Sequence, residues 1–421
     1  MGGLPKKAQQ IKDRSGNDVS PPILIDTGNL LFKQPTVVSS QELLTARGLM
    51  EIYQRMAYDA VAVGPNDLAA GMDFLTKGPG KDFPWISANL VDNQGNALFP
   101  AVKIIQRGGM KIGIIGLTGH LPTASQEISI TDWRKVLPGH LKQLSTGCQL
   151  VIALSSLSDA DNIALTQQFP EIHILITADR QRGSIAPSID RNTLVTQTMS
   201  QGKYLGMLNL NWISGGTWEK NSGHPPQTSP ETPPPQLQST FTADLIPLDK
   251  GLPEDGEIKA LVEGITQQIS KHNQKSSTSG KPHNPAENKA FTDLTGFARC
   301  QECHPVQTDF WNRTRHAQAY ATLQSKQQNF NLDCLPCHIT VNTADKTDAW
   351  SMEALLAMPS TLQSVGCETC HDKGLAHADS PDKIKPRRKV EEKTCLTCHT
   401  KERDPAFNYR QKLQKVQCPE R

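Results

Sequence analysis

Four copies of one pentapeptide constrain this chain more than any other feature: Cys300-Gln-Glu-Cys303-His304, Cys334-Leu-Pro-Cys337-His338, Cys367-Glu-Thr-Cys370-His371 and Cys395-Leu-Thr-Cys398-His399. In C-x-x-C-H two thiols add to the vinyl groups of a porphyrin and the adjacent His ligates its iron, the attachment pattern of c-type haem. Two intervening residues let one tight turn present both sulfurs to one edge of the macrocycle, while the next side chain swings beneath the ring. Two C-x-x-C pairs also build tetrahedral zinc sites, but zinc has no need of a His directly after every pair. Histidine fills only 12 of 421 positions, so four such placements do not arise by chance. The reading is four haem c groups attached through Cys300, Cys303, Cys334, Cys337, Cys367, Cys370, Cys395 and Cys398, with His304, His338, His371 and His399 as proximal iron ligands.

A chain of 421 residues suits two or three domains. Lys and Arg number 44 against 42 Asp and Glu, a net charge of +2 that gives no electrostatic reason to expect nucleic acid as a partner. Eight of the ten cysteines belong to the motifs, leaving Cys148 and Cys418, so cysteine usage speaks for haem rather than a disulfide scaffold. No stretch approaches the length of a transmembrane helix and no export signal opens the chain. Haem c is nevertheless attached outside the bacterial cytoplasm, which predicts a periplasmic or extracellular protein.

Ahead of the motifs, strands and helices alternate. Residues 22–26, 59–63, 101–106, 111–117, 150–154, 173–177, 194–198, 204–212 and 243–247 read as strands, with a hairpin turning through Gly108-Gly109. Leu43, Leu44, Leu49, Ile52 and Tyr53 share one face of a helix over 41–56, and a further helix precedes Pro22. Such a mixture predicts an α/β sandwich. A Pro-, Ser- and Thr-rich stretch, 214–239, reads as an exposed loop. A helix from Asp255 towards His272 closes a first domain over 1–272, a polar linker spans 273–290, and a haem-packed, mostly helical domain occupies 291–421.

Several of these pieces, in this order, resemble the N-terminal metallophosphoesterase domain of the 5′-nucleotidase group: Ile25-Asp-Thr-Gly28, Tyr58 to Gly64, Trp85-Ile-Ser-Ala-Asn89, Gly113 to Thr118, Val151 to Leu157, Gly202 to Gly206 and Ile246 to Asp249. The resemblance implies a dinuclear-metal α/β sandwich, yet its ligand positions are degenerate here. Asn29 stands where the family has a metal-binding Asp, Pro65-Asn66 replaces an Asn-His pair, Ser156 replaces a His, and Asp179 and Gln181 replace two late histidines. The family's opening Asp-x-His strand and its export signal are also missing before Pro22, so the natural chain is expected to begin upstream of Met1. Two metals need several carboxylate and imidazole ligands between them, and the expectation is a domain that does not hydrolyse phosphate esters.

The motif segment, with Trp311, Arg313-Thr-Arg-His316-Ala317 and His377 between its pentapeptides, resembles the tetrahaem cytochrome c family of the hydroxylamine-oxidation electron carrier. That resemblance implies that His316 and His377 cap irons other than their nearest. His272, His283, Met352, Met358 and an open site remain alternatives for the other two irons. Cys418 reads as a thiolate ligand, a disulfide partner of Cys148 or a free thiol. Porphyrins are expected to supply much of the apolar core of so haem-dense a segment. The expected function is electron transfer between redox partner proteins, the first domain serving as scaffold or docking module. The alternatives are a redox enzyme acting on a small nitrogen or sulfur species at an open haem, and a bifunctional phosphoesterase.

Overall fold

The computed structural model describes residues 3–16, 20–37, 39–122, 127–178, 184–199, 202–219, 238–279, 289–342, 352–401 and 403–419. The chain divides into two compact units, Met1–Val37 with Glu42–Glu263, and Val38–Gln41 with Gly264–Arg421.

The first unit begins with helix α1 (Leu4–Ser15), strand β1 (Ile25–Asp26), helix α2 (Ser40–Arg55), β2 (Ala60–Ala62), a 3-10 turn at Pro65–Ala70, α3 (Met72–Thr76), β3 (Trp85–Ile86) and β4 (Leu90–Asp92). It continues through β5 (Val102–Arg107), β6 (Met110–Leu117), β7 (Ile128–Ile130), α4 (Trp133–Gly147), β8 (Leu150–Ser155), α5 (Asp159–Gln168), β9 (Ile174–Thr177), β10 (Ile185–Asp190) and β11 (Thr193–Gln197). Strands β12 (Tyr204–Asn211), β13 (Thr217–Trp218) and β14 (Gln238–Pro247) then lead to α6 (Gly256–Ser279).

A six-stranded sheet in the order β10-β11-β9-β8-β6-β5 is the centre of this unit. Its inner strands β6, β8, β9 and β11 are parallel, and both edges are antiparallel. Every residue of β8 is buried, as expected of a parallel strand covered on both faces. On one face Ile115, Leu117, Val151, Ala153 and Leu175 meet Trp133, Leu137, Leu141 and Leu144 of α4 and Leu165 of α5. On the other, Ile112, Ile114, Ile152, Leu154 and Ile174 meet Ala60, Ala62, Ile86, Trp212, Trp218 and Phe241. The hairpin β5–β6 turns at Gly108 and Gly109, whose φ values of 55° and 79° are what a two-residue turn of this hand requires.

Several sequence expectations are adjusted. The first strand shrinks to Ile25–Asp26, because only these two residues pair, with Ala60 and Val61. The stretch read as loop over 214–239 is strand at both ends, where Thr217 and Trp218 pair with Gln238 and Ser239; residues 220–237 lie outside the described ones. Apolar periodicity does not reveal helices α4 and α5, although each carries a side-chain cap: Asp132 accepts from Arg134 N and Ser158 from Asp161 N.

In the second unit α6 runs seven residues into the segment read as linker, since neither Pro nor Gly falls between Gly264 and Gly280. Asn273, 1% exposed, ties it down by donating to Gln41 Oε1 and Phe330 O. Short helices follow: α7 (Phe297–Gln301), α8 (Pro305–Asn312), α9 (Ala319–Gln324), α10 (Leu335–His338), α11 (Cys367–His371), α12 (Leu375–Asp379), α13 (Glu392–Leu396) and α14 (Tyr409–Leu413). A side-chain core is present over part of this unit. It gathers Phe291, Tyr320, Leu323, Leu332, Leu335, Ile339, Leu355 and Leu362. It stops short, however, for among the described residues none after Glu368 is buried.

Candidate functional site

Each pentapeptide sits on a tight helical turn. His304 N donates to Cys300 O and His399 N to Cys395 O, both at 2.9 Å, while α10 and α11 carry the second and third motifs. None of the eight motif sulfurs is in a disulfide; Cys303 is exposed and the other seven are half-buried. Among the described residues no three His, Cys, Asp or Glu side chains gather as metal ligands, so no C-x-x-C pair meets another in a four-sulfur zinc site.

The imidazoles are arranged in pairs. The ring centroids of His304 and His377 lie 6.2 Å apart, and those of His316 and His399 lie 6.3 Å apart. A metal–imidazole nitrogen bond is about 2 Å long and the ring centroid lies roughly 1 Å behind that nitrogen, so two imidazoles on opposite faces of one metal have centroids about 6 Å apart. His316 and His377 thus face the motif histidines of the fourth and first pentapeptides, 83 and 73 residues away in sequence.

Ring tautomers are set from behind. Nδ1 lies 2.7 Å from Ala319 O in His338, 2.7 Å from Arg387 O in His371 and 2.6 Å from Ile384 O in His377. In His399 it lies 2.8 Å from Asp404 Oδ2. A proton held on Nδ1 leaves Nε2 with its lone pair for iron. Burial, with His399 adding to it, holds His316 below the usual histidine value, which favours the neutral ring that a metal needs. Exposed apolar side chains flank the same positions: Val306 beside His304, Leu375 beside His377, Ile384 behind it and Leu396 inside the fourth motif. Such surfaces are ones a porphyrin would cover, and the residues present fit haem.

The first and third motifs meet, and the second and fourth are joined through flanking residues. Cys300 of the first shares a hydrogen bond with Cys367 of the third, which draws Cys300 below the ordinary thiol value. Burial, with Cys395 and Cys418 nearby, pushes Cys370 up to about 11. Arg403, just beyond the fourth, donates to Asp333 O beside the second at 3.2 Å. Glu368, inside the third motif, is 8% exposed and binds Thr295 N, Gly296 N and Gly374 N at 2.8–2.9 Å. Sequence reading passed over Glu368, Arg387, Asp404 and Phe407, which stacks on His399 at 4.6 Å, because their partners are distant along the chain or hidden in irregular turns.

Other candidates are placed elsewhere. His272 Nε2 lies 3.0 Å from Ser40 Oγ, and His283 lies outside the described residues. Met358 packs into the apolar cluster of the second unit. Cys148 packs beneath α4 and Cys418 neighbours Cys367 and Cys370, both as free thiols, so no disulfide joins them.

In the first unit, the loop ends matched to metal ligands are tied by hydrogen bonds to one another and to the backbone. Asn29, at φ 54°, accepts from Asn66 N through Oδ1 at 2.9 Å. Gly64 must be glycine, since a Cβ there would lie 2.3 Å from Asn29 N. Asp67 is fully buried and accepts from Asn29 N, Leu31 N and Gly64 N at 2.7–2.9 Å. Burial raises its carboxyl to about 6 despite those three donors. Asn89 exchanges two 2.8 Å bonds with the Thr118 backbone, Thr118 Oγ1 donates to Val63 O, and Ser156 Oγ accepts from Gly119 N. Asp179 and Gln181 lie outside the described residues.

The family model for cytochrome c554 and c-prime matches residues 299–372, which hold the first three motifs. Cytochrome c-554 of Nitrosomonas europaea is 28% identical over 100 residues, 20% of this chain and 40% of that one. Snake venom 5′-nucleotidase of Gloydius brevicauda is 26% identical over 313 residues, 66% of this chain and 48% of that one, so the chain spans about half the length of this relative. Among solved structures, the sulfate thiohydrolase SoxB of Thermus thermophilus aligns with a TM-score of 0.51 at 17% identity, covering 64% of this chain and 47% of that one. The N-terminal part of this chain is therefore 5′-nucleotidase-like with a metallophosphoesterase-type α/β fold, and its C-terminal part is similar to cytochrome c554.

Proposed function

We propose that the chain is a multihaem c-type cytochrome that passes electrons through four covalently attached haems. The observation that carries this reading is the spacing of the His304–His377 and His316–His399 pairs, 6.2 and 6.3 Å between centroids. Bound haem supplies one-electron chemistry, and paired imidazoles keep its potential low relative to Met/His ligation. The chain's own part is to hold sulfurs at each porphyrin edge, to fix Nε2 towards iron through Ala319 O, Arg387 O, Ile384 O and Asp404, and to bring the motifs near one another. The attachment chemistry argues for a periplasmic or extracellular location and for protein electron donors and acceptors.

The 5′-nucleotidase-like unit serves in this reading as an inactive scaffold or docking module. Asn29 accepts from Asn66 N, Ser156 accepts from Gly119 N, and Pro65 offers no side-chain ligand atom. The test is twofold. Denatured protein should keep its colour and weigh four haems more than the polypeptide; fewer would refute the count. Dialysed protein given Mn²⁺ should release no phosphate from AMP, and metal-dependent release would restore the bifunctional reading. A second reading, an open haem acting on a small nitrogen or sulfur species, falls on the irons of His338 and His371, whose rings have no facing imidazole among the described residues. CO binding by the reduced protein would support it.

A further inference from the structure

We infer that the surface around Cys395–His399 is a docking face for an acidic redox protein, so that electrons enter or leave the second unit at the fourth motif. The inference rests on the haem reading above. Residues 381–421 hold 12 Lys and Arg against 6 Asp and Glu in a chain of net charge +2, so the rest of the chain is net acidic. Lys383, Arg388, Lys389, Lys401, Arg410 and Lys412 are all exposed. Three nearby carboxylates are engaged, Glu391 by Lys393 at 2.7 Å, Asp404 by His399 at 2.8 Å and Asp372 by Arg387 at 2.8 Å, while Asp382 and Glu392 are exposed among the cations, which still outnumber them.

The fold gathers these cations around the motif. Tyr409 donates from its hydroxyl to Val390 O at 2.6 Å, which sets α14 with Arg410 and Lys412 beside Arg388 and Lys389. Phe407 stacks on His399, bringing the same loop over the motif. A basic border around an attachment motif suits a transient complex, where charge steers encounter. A nucleic acid or an anionic membrane would also meet the cations, but neither gains from their placement around an attachment site.

The test uses reduced holoprotein whose four haems have been verified by mass. Its oxidation is followed by stopped flow against an acidic plant plastocyanin and a basic mitochondrial cytochrome c. The plastocyanin rate should fall about ten-fold between roughly 10 and 300 mM ionic strength, and the cytochrome c rate should not fall. R388E/K389E should lower the low-salt plastocyanin rate about five-fold, whereas K103E/K135E in the first unit, with the same change in net charge, should leave it within about two-fold. Equal losses in both doubles, or a rate indifferent to salt, would overturn the docking face. So would an unchanged plastocyanin rate in R388E/K389E with lost binding to phosphatidylglycerol vesicles. Should R388E/K389E carry fewer than four haems, R388Q/K389Q makes the same comparison; fewer than four in the wild type refutes the haem count instead.

Discussion

At the scale of single residues, two histidines and two further titratable groups, one buried and one half-buried, carry the sharpest expectations. His316→Ala and His377→Ala should each convert one haem from low to high spin, because each removes one imidazole of a facing pair. Unchanged absorption and EPR spectra in both would remove the pairing. Asp67 and His173 pull the pH dependence of the first unit in opposite directions. Asp67 is raised to about 6 by burial, so it contributes stability at pH below about 4 that is lost as pH rises through 6. His173 is depressed to about 4 by burial, its Nδ1 accepting from Val151 N. It contributes stability above about 6.5 that is lost as pH falls through 4. Each term is of order 2–3 kcal/mol. D67N should therefore leave urea stability falling on acidification from pH 7 to 4, and H173Q should leave it rising. Parallel profiles in the two variants would contradict both assignments.

At the scale of elements, the short helices of the second unit are held by a few long-range clamps rather than by their own length. Glu368 on α11 binds three backbone N–H groups from two loops. Glu368→Ala leaves those donors without an acceptor in a buried position, a loss of roughly 2–4 kcal/mol. Calorimetry should show the second unit melting earlier with the first unit unchanged, and Glu368→Gln, which keeps one acceptor oxygen, should recover part of the difference. Coincident melting of wild type and Glu368→Ala would remove the clamp. The strands of the first unit were readable because apolar runs such as Val151 to Leu154 are bounded by polar turns and buried on both faces. Helices α4 and α5 were missed because Pro138 and a weakly apolar 159–168 blur their period, although their caps were visible in Asp132 and Ser158.

At the scale of the whole molecule, the second unit divides into a part with its own core and a part without. Residues 290–362 bury a side-chain cluster, whereas no described residue after Glu368 is buried. A segment of that length cannot offset its conformational entropy by exposed contacts alone. Protein made without haem attachment, by changing the motif cysteines to Ser, should thus exchange its backbone amides freely over 369–419 while β6, β8 and β9 stay protected. Protection of 369–419 in that apo-protein would show that the segment folds unaided.

Covalent spacing is local, and for that reason the sequence alone determined the attachment pattern: a pentapeptide positions two thiols and an imidazole whatever surrounds it. It determined the sheet as well, since burial on both faces writes itself as unbroken apolar runs. Which imidazole faces which was decided only by the tertiary structure. His377 is six residues from His371 and yet faces His304, because Ile384 O turns its ring and Glu368 binds the loop before the first motif to the third. The contact order of the motifs was hidden for the same reason. It depends on Cys300 against Cys367 and Arg403 against Asp333, contacts between residues that the chain's own order keeps apart.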